Sequence, residues 1–299
     1  MTDAPAPADR PTMPLGEIRQ RLDAVDYLVD DGLAMALFLV QAMGQPLLLE
    51  GEPGVGKTTA AKALAAALDT RLIRLQCYEG IKAREALYEW NYSRQLLAIR
   101  QAEAGNRSVD DTELFDRRFL LERPLLAAVS DRGPRPPVLL IDEIDRADDE
   151  FEALLLEFLG EDSVTIPELG TVRAARAPIV ILTSNRTREL HDALKRRCFY
   201  HWIDYPGVVQ AAAIVRRRVP GASAPIVEAT TAFVTRARAL DLDKPPGLAE
   251  AIDWVSALHA LGMSDLDRDA MVTTVGAIAK TPDDLATLAA AVAADPLAS

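Results

Sequence analysis

The sequence predicts an α/β protein: a three-layer core with a mostly parallel β-sheet, followed by an all-helical C-terminal domain. Three observations predict this fold class. Short apolar runs alternate with helical segments up to Tyr205-Pro206-Gly207, as in proteins whose helices cover both faces of a parallel sheet. After that point the strand signals fade and only the three- and four-residue spacing of helices remains. Aromatic residues make up only 5% of an alanine- and leucine-rich chain, which favours helices over a β-sandwich.

Five segments are predicted as strands of the core. The first, Pro46–Glu50, is a short apolar run that a glycine-rich loop ends, as is typical of a buried strand. Arg71–Cys77 alternates polar and apolar residues, whereas Val138–Ile141 and Ile179–Leu182 are again continuous apolar runs. Phe199–Ile203 has the character of an edge strand.

Helical segments and one hairpin connect these strands. Helices are predicted over residues 22–43 with a break at 30–32, and over 57–68, 81–104, 114–130 and 147–159. Residues 163–173 are predicted as a β-hairpin that turns through Pro167–Gly170. Five helices are predicted for the C-terminal domain, over residues 208–218, 226–240, 247–261, 267–279 and 283–293.

The 299 residues are predicted to form three parts. Residues 1–14 hold four prolines and no basic start before an apolar run, so a disordered tail is predicted rather than a secretory signal. Residues 15–206 form the α/β core and residues 207–299 the helical lid domain. The apolar stretch Leu33–Met43 is too short to span a bilayer, so we expect a cytoplasmic protein without a membrane anchor.

Charge and cysteine content exclude several classes of protein. The formal net charge is −12, from 45 acidic and 33 basic residues, which counts against DNA or RNA as the main partner. The two cysteines, Cys77 and Cys198, form no CxxC pair and the three histidines are scattered, so neither a zinc site nor a disulfide framework is predicted. Both cysteines are expected to be small buried residues.

The segment Gly51–Thr58 matches the phosphate-loop pattern G-x-x-x-x-G-K-[ST] at every fixed position. Its glycines allow successive backbone N–H groups to point at a phosphate, and the helix that begins near Lys57 adds its positive end. Lys57 is expected to reach the β- and γ-phosphates of ATP, and the Thr58 hydroxyl to bind Mg²⁺. The predicted nucleotide-binding residues are Gly51, Glu52, Pro53, Gly54, Val55, Gly56, Lys57, Thr58 and Thr59.

Two carboxylates end the apolar run Val138–Ile141. In a parallel sheet this strand end lies beside the phosphate loop. Asp142 is therefore expected to hold the Mg²⁺ shell, and Glu143 to orient and polarise the attacking water. Asp145 is expected at the surface or behind these two groups.

Polar residues also end the run Ile179–Leu182, where Asn185 could hydrogen-bond the attacking water or the γ-phosphate. Taken alone, an ordinary turn asparagine is the better interpretation. Arg196 and Arg197 stand just before the last strand, where an arginine could reach the γ-phosphate of a neighbouring subunit. A solvated basic patch or a helix C-terminus explains these two arginines equally well.

These elements occur in a fixed order: the phosphate loop, the Asp-Glu strand end, the strand before Asn185, the arginine pair and a helical domain. The set resembles an AAA+ ATPase, a class of P-loop NTPase. The resemblance implies a C-terminal helical lid and a ring, usually a hexamer, with nucleotide between subunits. It implies that Asn185 is a sensor residue and that Arg197, with Arg196 as second choice, acts on a neighbouring subunit's nucleotide.

Within that superfamily the chain is similar to the MoxR family, and in particular to members encoded with carbon monoxide dehydrogenase. The resemblance runs from about Ile18 to Leu261 and implies chaperone-like remodelling of a client, often a metalloenzyme, with a von Willebrand factor A domain protein as partner. The segments that carry it are Pro46–Thr58, Val138–Ala147, the hairpin after Phe158, Leu182–Asn185, Gln76–Gly80, Ala86–Tyr92 and Cys198–Pro206.

One departure concerns the lid, where many AAA+ proteins place an arginine at the start of a late helix. The corresponding stretch here, Lys244–Glu250, has no arginine, which leaves open whether Lys244 replaces it. The aromatic cluster Tyr88–Tyr92 could face a pore or a partner, but core packing is favoured. The resemblance also suggests adenine contacts at Tyr27–Val29.

Three functions compete at this stage. The leading one is an ATP-hydrolysing remodeller. The second is a nucleotide-gated binding module or switch that hydrolyses ATP very slowly. The third is a DNA-acting motor, against which the net charge and the absence of an appended DNA-binding motif count. The client and the ring size do not follow from the sequence.

Overall fold

A five-stranded sheet forms the centre of the computed structural model, which describes residues 12–107 and 110–294. The strand order is β2-β5-β8-β1-β9. The members are β1 (Leu47–Gly51), β2 (Leu72–Gln76), β5 (Val138–Asp142), β8 (Ile179–Ser184) and β9 (Phe199–Ile203). Each of these strands lies within two residues of a predicted one, and β9 takes the predicted edge position.

The sheet is parallel in the pairs β1–β8, β5–β8 and β2–β5. Every residue of β1, β5 and β8 is buried, which explains why their sequences read as continuous apolar runs rather than alternating ones. The register pairs Glu50 with Ser184, and Gln76 with Asp142. The carboxyl ends of these four strands therefore meet at one edge of the sheet, and the predicted α/β fold class is confirmed.

Helices follow most of the strands. The bounds are α1 (Leu15–Asp23), α2 (Asp31–Met43), α3 (Lys57–Ala67), α4 (Ala83–Ala86), α5 (Tyr92–Ala104), α6 (Asp111–Leu114), α7 (Pro124–Ser130), α8 (Asp149–Glu161), α9 (Asp192–Lys195), α10 (Val208–Arg218), α11 (Ala224–Ala237), α12 (Leu248–Ala260), α13 (Arg268–Thr274) and α14 (Pro282–Ala294). The helix predicted over 22–43 is interrupted at residues 24–30, earlier than the predicted break at 30–32. Asp31 and Gly32 already belong to α2, because the Asp30 carboxylate accepts a hydrogen bond from the Leu33 N–H and caps that helix.

Helix α8 shows how the core is built on the sheet. Its side chains Phe151, Leu155 and Phe158 recur at helical spacing and pack in the same apolar cluster as Leu139 and Ile141 of β5. All five are at most 2% exposed. A buried aliphatic or aromatic side chain contributes about 1.5–3 kcal/mol, so this face fixes the helix against the sheet.

Two small antiparallel pairs stand beside the main sheet. The hairpin β6 (Ser163–Ile166) and β7 (Gly170–Arg173) was predicted. The pair β3 (Tyr88–Trp90) and β4 (Leu120–Glu122) was not, because both segments were predicted as helix. The helical prediction over 81–104 and 114–130 is wrong there.

The physical reason for β3 is its central aromatic side chain. Trp90 is 7% exposed and packs edge-on against Phe115, with ring centroids 5.2 Å apart. Pro124 starts α7 at its first position, so the residues before it cannot continue that helix. Core packing of Trp90 is therefore confirmed, whereas Tyr92 at the start of α5 is 68% exposed.

The chain divides into two compact units. The first holds the strands and α1–α9, and comprises the residues up to Val25, Val29–Glu50 and Thr58–Trp202. The second comprises Asp26–Leu28, the phosphate loop Gly51–Lys57 and the residues from Ile203 onward.

Helices α10–α14 of the second unit enclose a separate apolar core. Trp254 at its centre is fully buried, packs edge-on against Phe233 and donates a hydrogen bond from Nε1 to Thr274 Oγ1 at 2.8 Å. The predicted helical C-terminal part is thereby confirmed. The predicted tail, residues 1–14, lies outside the described residues up to residue 11. Within the described ranges, no helix is long and apolar enough to cross a membrane.

Candidate nucleotide-binding site

The loop after β1 has the backbone that its glycines predict. Gly51 has φ +158°, and a Cβ atom there would lie 2.5 Å from the Ile203 carbonyl oxygen, so a larger residue cannot replace it without moving the chain. Gly56 has φ +101°, a conformation that residues with a side chain rarely adopt. The sequence pattern therefore reports a real backbone requirement.

Lys57 closes this loop from inside. Its side chain is buried, and Nζ donates hydrogen bonds of 2.8 Å to the carbonyl oxygens of Gly51 and Glu52. Helix α3 begins at Lys57 itself, so the backbone N–H groups of its first turn have no partner within the helix. An ammonium group and a helix N-terminus on one loop form an anion-binding arrangement.

Asp142 is the centre of a hydrogen-bond network in the first unit. The residue is 2% exposed. Its Oδ1 accepts hydrogen bonds from Thr58 Oγ1 at 2.9 Å and from Thr183 Oγ1 at 2.6 Å. Its Oδ2 accepts two from Arg74, from Nη2 at 2.6 Å and Nε at 3.0 Å. The predicted pair Thr58 and Asp142 is thus brought together.

A carboxylate and a hydroxyl in contact are the kind of oxygen ligands that Mg²⁺ takes, usually one or two from the protein with the rest from water and phosphate. Thr58 and Asp142 fit that requirement, because both oxygens lie at the carboxyl edge of the sheet next to the phosphate loop. No cluster of three or more histidine, cysteine or acidic residues suited to a fully protein-bound metal occurs among the residues that the structure describes.

Arg74 is a residue of this network that the sequence did not single out. It lies on β2, two residues before Gln76, whose register partner on β5 is Asp142. The signal was the alternation of polar and apolar residues along β2, which places Arg74 and Gln76 on one face. This alternation alone does not identify the partner of Arg74. The strand order is also needed, because β2 lies beside β5 and only this brings the Arg74 guanidinium to Asp142.

Glu143 has an unusual backbone. Its φ and ψ are 56° and 49°, the left-handed region that few residues other than glycine adopt. Its N–H donates to Thr183 Oγ1 at 2.9 Å, and its carboxylate pairs with Arg146 Nε at 2.9 Å. The Glu143 side chain is 33% exposed, so this pair is open to solvent.

Asp145 was expected either at the surface or behind Asp142 and Glu143, and its burial excludes the surface position. It is 2% exposed. Its Oδ2 accepts hydrogen bonds from the N–H groups of Asn185 at 3.2 Å and Thr187 at 2.8 Å, and from Thr187 Oγ1 at 2.7 Å. Asp145 therefore links the short helix after β5 (Ile144–Arg146) to the turn after β8. Through its bond to the Asn185 N–H, this link holds the backbone of Asn185 in place.

The remaining predicted residues lie at separate places. Asn185 is half-buried and follows β8 directly, one strand away from Asp142. Arg196 is exposed and at the limit of ion-pair distance, 4.0 Å, from Asp192. Arg197 is exposed and donates from Nη1 to the Leu156 carbonyl oxygen in α8. The two arginines are thus at the surface of the first unit rather than in the Asp142 network.

Three further residues bear on the sequence-based expectations. Cys77 is buried as expected, whereas Cys198 is only half-buried. Burial raises the pKa of the Cys77 thiol to about 12, with the negative charge of Asp142 as the second cause, and burial alone raises that of Cys198 to about 12. Neither thiol is therefore a nucleophile at neutral pH. Lys244 is exposed, and its backbone N–H donates to Asp284 Oδ2 at 3.3 Å.

Comparison with known proteins identifies a family. The model of the AAA domain (dynein-related subfamily) matches residues 46–198, which is half of the chain. Lon protease from Mycolicibacterium smegmatis is 27% identical over 155 residues, which is 48% of this chain but only 16% of that protein.

Solved structures show weaker similarity. A Cytophaga hutchinsonii protein assigned as an ATPase is 16% identical, with 92% of this chain and 85% of that chain covered and a TM-score of 0.49. A variant of RuvB from Thermotoga maritima is 18% identical, with 92% and 74% covered and a TM-score of 0.49. Both TM-scores lie below 0.5, so the family match carries the assignment.

Proposed function

This chain belongs to the AAA domain family of the dynein-related subfamily and is an ATPase, and we propose that it is a MoxR-type member that uses ATP to remodel or mature a client protein complex. The observation that carries the proposed site is the Thr58–Asp142–Thr183 hydrogen-bond network at the carboxyl edge of the sheet. It joins the phosphate loop, the Asp-Glu strand end and the strand before Asn185 into one arrangement.

In this proposal the loop residues 51–59 bind the phosphates of ATP. The Lys57 ammonium exchanges its carbonyl partners for β- and γ-phosphate oxygens, and the N–H groups of the first turn of α3 bind the β-phosphate. Thr58 and Asp142 would hold Mg²⁺, which neutralises charge on the phosphates when it is bound.

Glu143 is the proposed base that orients and polarises the attacking water. The Thr183 hydroxyl links both residues, since it donates to the Asp142 carboxylate at Oδ1 and accepts a hydrogen bond from the Glu143 backbone N–H. Asn185 is the proposed sensor at the next strand end. Arg197, or Arg196 in its place, is the proposed finger that stabilises charge on the nucleotide of an adjacent subunit.

The assembly and the partners are the finer part of the proposal. We propose a homo-oligomeric ring, a hexamer as is usual for AAA+ proteins, which works with a von Willebrand factor A domain protein on a metalloenzyme client. The support is the resemblance of the segments Gln76–Gly80, Ala86–Tyr92 and Cys198–Pro206 to MoxR-type proteins.

The first experiment measures the ATPase rate against protein concentration for the wild type and Glu143→Gln. We expect the specific rate to rise with concentration and to fall at least a hundredfold in the variant, with ATP still bound, because the amide cannot accept a proton from water. A variant that hydrolyses at the wild-type rate would remove Glu143 from the mechanism. Lys57→Ala is the companion variant, and normal ATP affinity there would contradict the loop assignment.

A second function, a nucleotide-gated module that hydrolyses ATP very slowly, is favoured by one specific observation. Both carboxylates are paired with arginines, Asp142 with Arg74 and Glu143 with Arg146. A Glu143 carboxylate that is engaged by Arg146 must leave that pair before it can hydrogen-bond the attacking water. A negligible rate at every concentration in both proteins, with ATP bound, would support this function, and stimulation by an added partner would then be the next measurement.

A further inference from the structure

The phosphate loop carries a carboxylate that faces the helical unit. Glu52, the second residue of the loop, pairs through Oε2 with Nη2 of Arg238. Arg238 caps the C-terminus of α11, and its side chain is only 16% exposed, whereas that of Glu52 is 55% exposed. Both residues belong to the second unit, so the pair lies within one compact body.

Arg238 is fixed from two further sides. Its guanidinium carbon lies 4.2 Å from the centre of the Tyr205 ring, a cation–π contact. Its Nη1 donates a hydrogen bond of 2.9 Å to the Pro246 carbonyl oxygen, just before α12. Burial raises the pKa of Tyr205 to about 12, so one wall of the arginine site is apolar. An ion pair beside such a wall is screened less than one in open solvent.

The start of α12 lies against the same part of the loop. A Cβ atom on Gly247 would lie 3.3 Å from the Pro53 carbonyl oxygen and 3.6 Å from Gly54 Cα. The Gly247 N–H donates to Glu250 Oε2 at 2.9 Å, which holds this turn in place. Arg238 thus contacts the phosphate loop at Glu52 and the turn before α12 at Pro246. It connects the loop to the turn that lies against it.

The charge on Glu52 poses a physical problem for the loop. A polyphosphate brings several negative charges to residues 51–58, well within a Debye length of the Glu52 carboxylate. An unpaired carboxylate there would repel the ligand. Arg238 supplies an always-charged, planar partner that cancels this repulsion and holds the carboxylate turned toward the helices.

We propose that Arg238 is a positioning residue for nucleotide binding, which acts by holding Glu52 and neutralising its charge. This inference rests on the proposed role of the loop in binding ATP. It goes beyond that role, because it assigns to the end of α11 a control over affinity that the phosphate-loop pattern does not contain.

The experiment compares Arg238→Ala, Glu52→Gln and the double variant, with Arg216→Ala as matched control. Arg216 lies in the same unit and pairs with Glu228 at 2.6 Å. Its substitution by alanine therefore also removes one positive charge from an ion pair, but from a pair that does not include a residue of the phosphate loop. The measurements are the dissociation constant of a non-hydrolysable ATP analogue at low and high salt, KM and kcat. Thermal unfolding verifies that each variant is folded.

We expect Arg238→Ala to weaken analogue binding and raise KM by about tenfold with little change in kcat, because a paired charge is left uncompensated. Glu52→Gln should bind the analogue more tightly than Arg238→Ala does, because it removes the repelling carboxylate, and the double variant should recover most of the lost affinity. The Arg238→Ala defect should shrink at high salt. Arg216→Ala should bind normally.

Equal losses in Arg238→Ala, Glu52→Gln and the double variant would overturn the proposal, because a purely structural clamp gives that pattern. So would unchanged affinity in a folded Arg238→Ala protein. Failure of the phosphate-loop role itself would appear elsewhere, as normal analogue binding by Lys57→Ala, and the two failures are therefore distinguishable.

Discussion

Asp142 is the residue on which most of the candidate site depends. Four hydrogen bonds from Thr58, Thr183 and Arg74 reach its two oxygens, and its own backbone carbonyl accepts the Cys77 N–H at 2.8 Å. A carboxylate so enclosed is held in one orientation. Asp142 is also paired with the Arg74 guanidinium, which competes with Mg²⁺ for the same carboxylate.

Arg74→Ala is expected to lower the Mg²⁺ concentration that gives half-maximal ATPase activity, by about fivefold. The guanidinium attracts the same carboxylate that would hold the ion, so its removal leaves Asp142 more attractive to Mg²⁺. The measurement is a Mg²⁺ titration of activity at saturating ATP.

Arg71→Ala is the control for this prediction, because Arg71 precedes the same strand and pairs with Asp131 at 3.5 Å, away from the network. An Arg74→Ala protein that needs more Mg²⁺ than the wild type would contradict the competition. It would show instead that Arg74 assists the ion or the phosphates.

Residues of this site differ in how far the sequence could predict them. Lys57, Thr58, Asp142 and Glu143 follow from motifs, because the chemistry fixes their spacing along the chain. Arg74 and Asp145 do not, since each meets its partners only after strand order and turn geometry have been set. Thr183 stands between the two cases: its place at a strand end was visible in the sequence, but its bonds to the Asp142 carboxylate and the Glu143 backbone N–H were not.

At the scale of elements, the connection between β5 and β8 determines the position of Asn185. The strands pair from Val138 and Ile179 onward, and Asp145 then joins the short helix after β5 to the turn after β8. The buried Oδ1 of Asp145 has no hydrogen-bond partner among the described residues. Of the two carboxylate oxygens of Asp145, only Oδ2 therefore holds the turn.

Asp145→Ala is expected to reduce kcat about tenfold or more while KM for ATP changes little, because three hydrogen bonds that hold the turn are lost and Asn185 moves. The phosphate loop is not touched by this change. Steady-state kinetics of the folded variant provide the measurement.

Asp145→Asn serves as the conservative control, since its carbonyl oxygen can still accept from the turn and should retain more activity. Thr187→Val removes only the hydroxyl bond and should have the smallest effect. If Asp145→Ala raised KM and left kcat unchanged, the turn would act on ATP binding and not on the chemical step.

Elements were predictable wherever burial dictated the pattern. The apolar runs of β1, β5 and β8 are buried on both faces, and their predicted bounds differ from the observed ones by at most two residues. The pair β3–β4 was missed because its three-residue strands are too short to show a period, and Trp90 fits a helix pattern equally well. Packing against Phe115 decides that segment, and sequence spacing does not report it.

At the scale of the whole molecule, the exposed arginines after α9 bear on the proposed assembly of several subunits. Arg197 lies along α8 with its guanidinium on the Leu156 carbonyl, and a Cβ on Gly160 would lie 3.1 Å from its Nη1. An arginine that acts between subunits must be reachable from outside its own subunit, and both Arg196 and Arg197 are exposed.

We expect Arg197→Ala to lose most of its ATPase activity, and activity to return when it is mixed with inactive Glu143→Gln. In a mixed assembly the intact base of one subunit meets the intact arginine of the other, which neither pure variant allows. The measurement is the ATPase rate across mixing ratios.

Arg173→Ala, which changes an exposed arginine of β7, controls for loss of charge. If mixing restores nothing with Arg197→Ala but restores activity with Arg196→Ala, the finger is Arg196. Full activity in both arginine variants would exclude the pair from catalysis.

The left-handed backbone of Glu143 sets protein stability against the role in ATP turnover that we propose for this residue. A residue with a Cβ atom costs about 1–2 kcal/mol in that conformation, and glycine would relieve it. Selection for persistence of the fold alone would therefore drift toward glycine or asparagine at position 143. Glutamate at position 143 is therefore a cost to the folded state that the proposed turnover of ATP would have to outweigh.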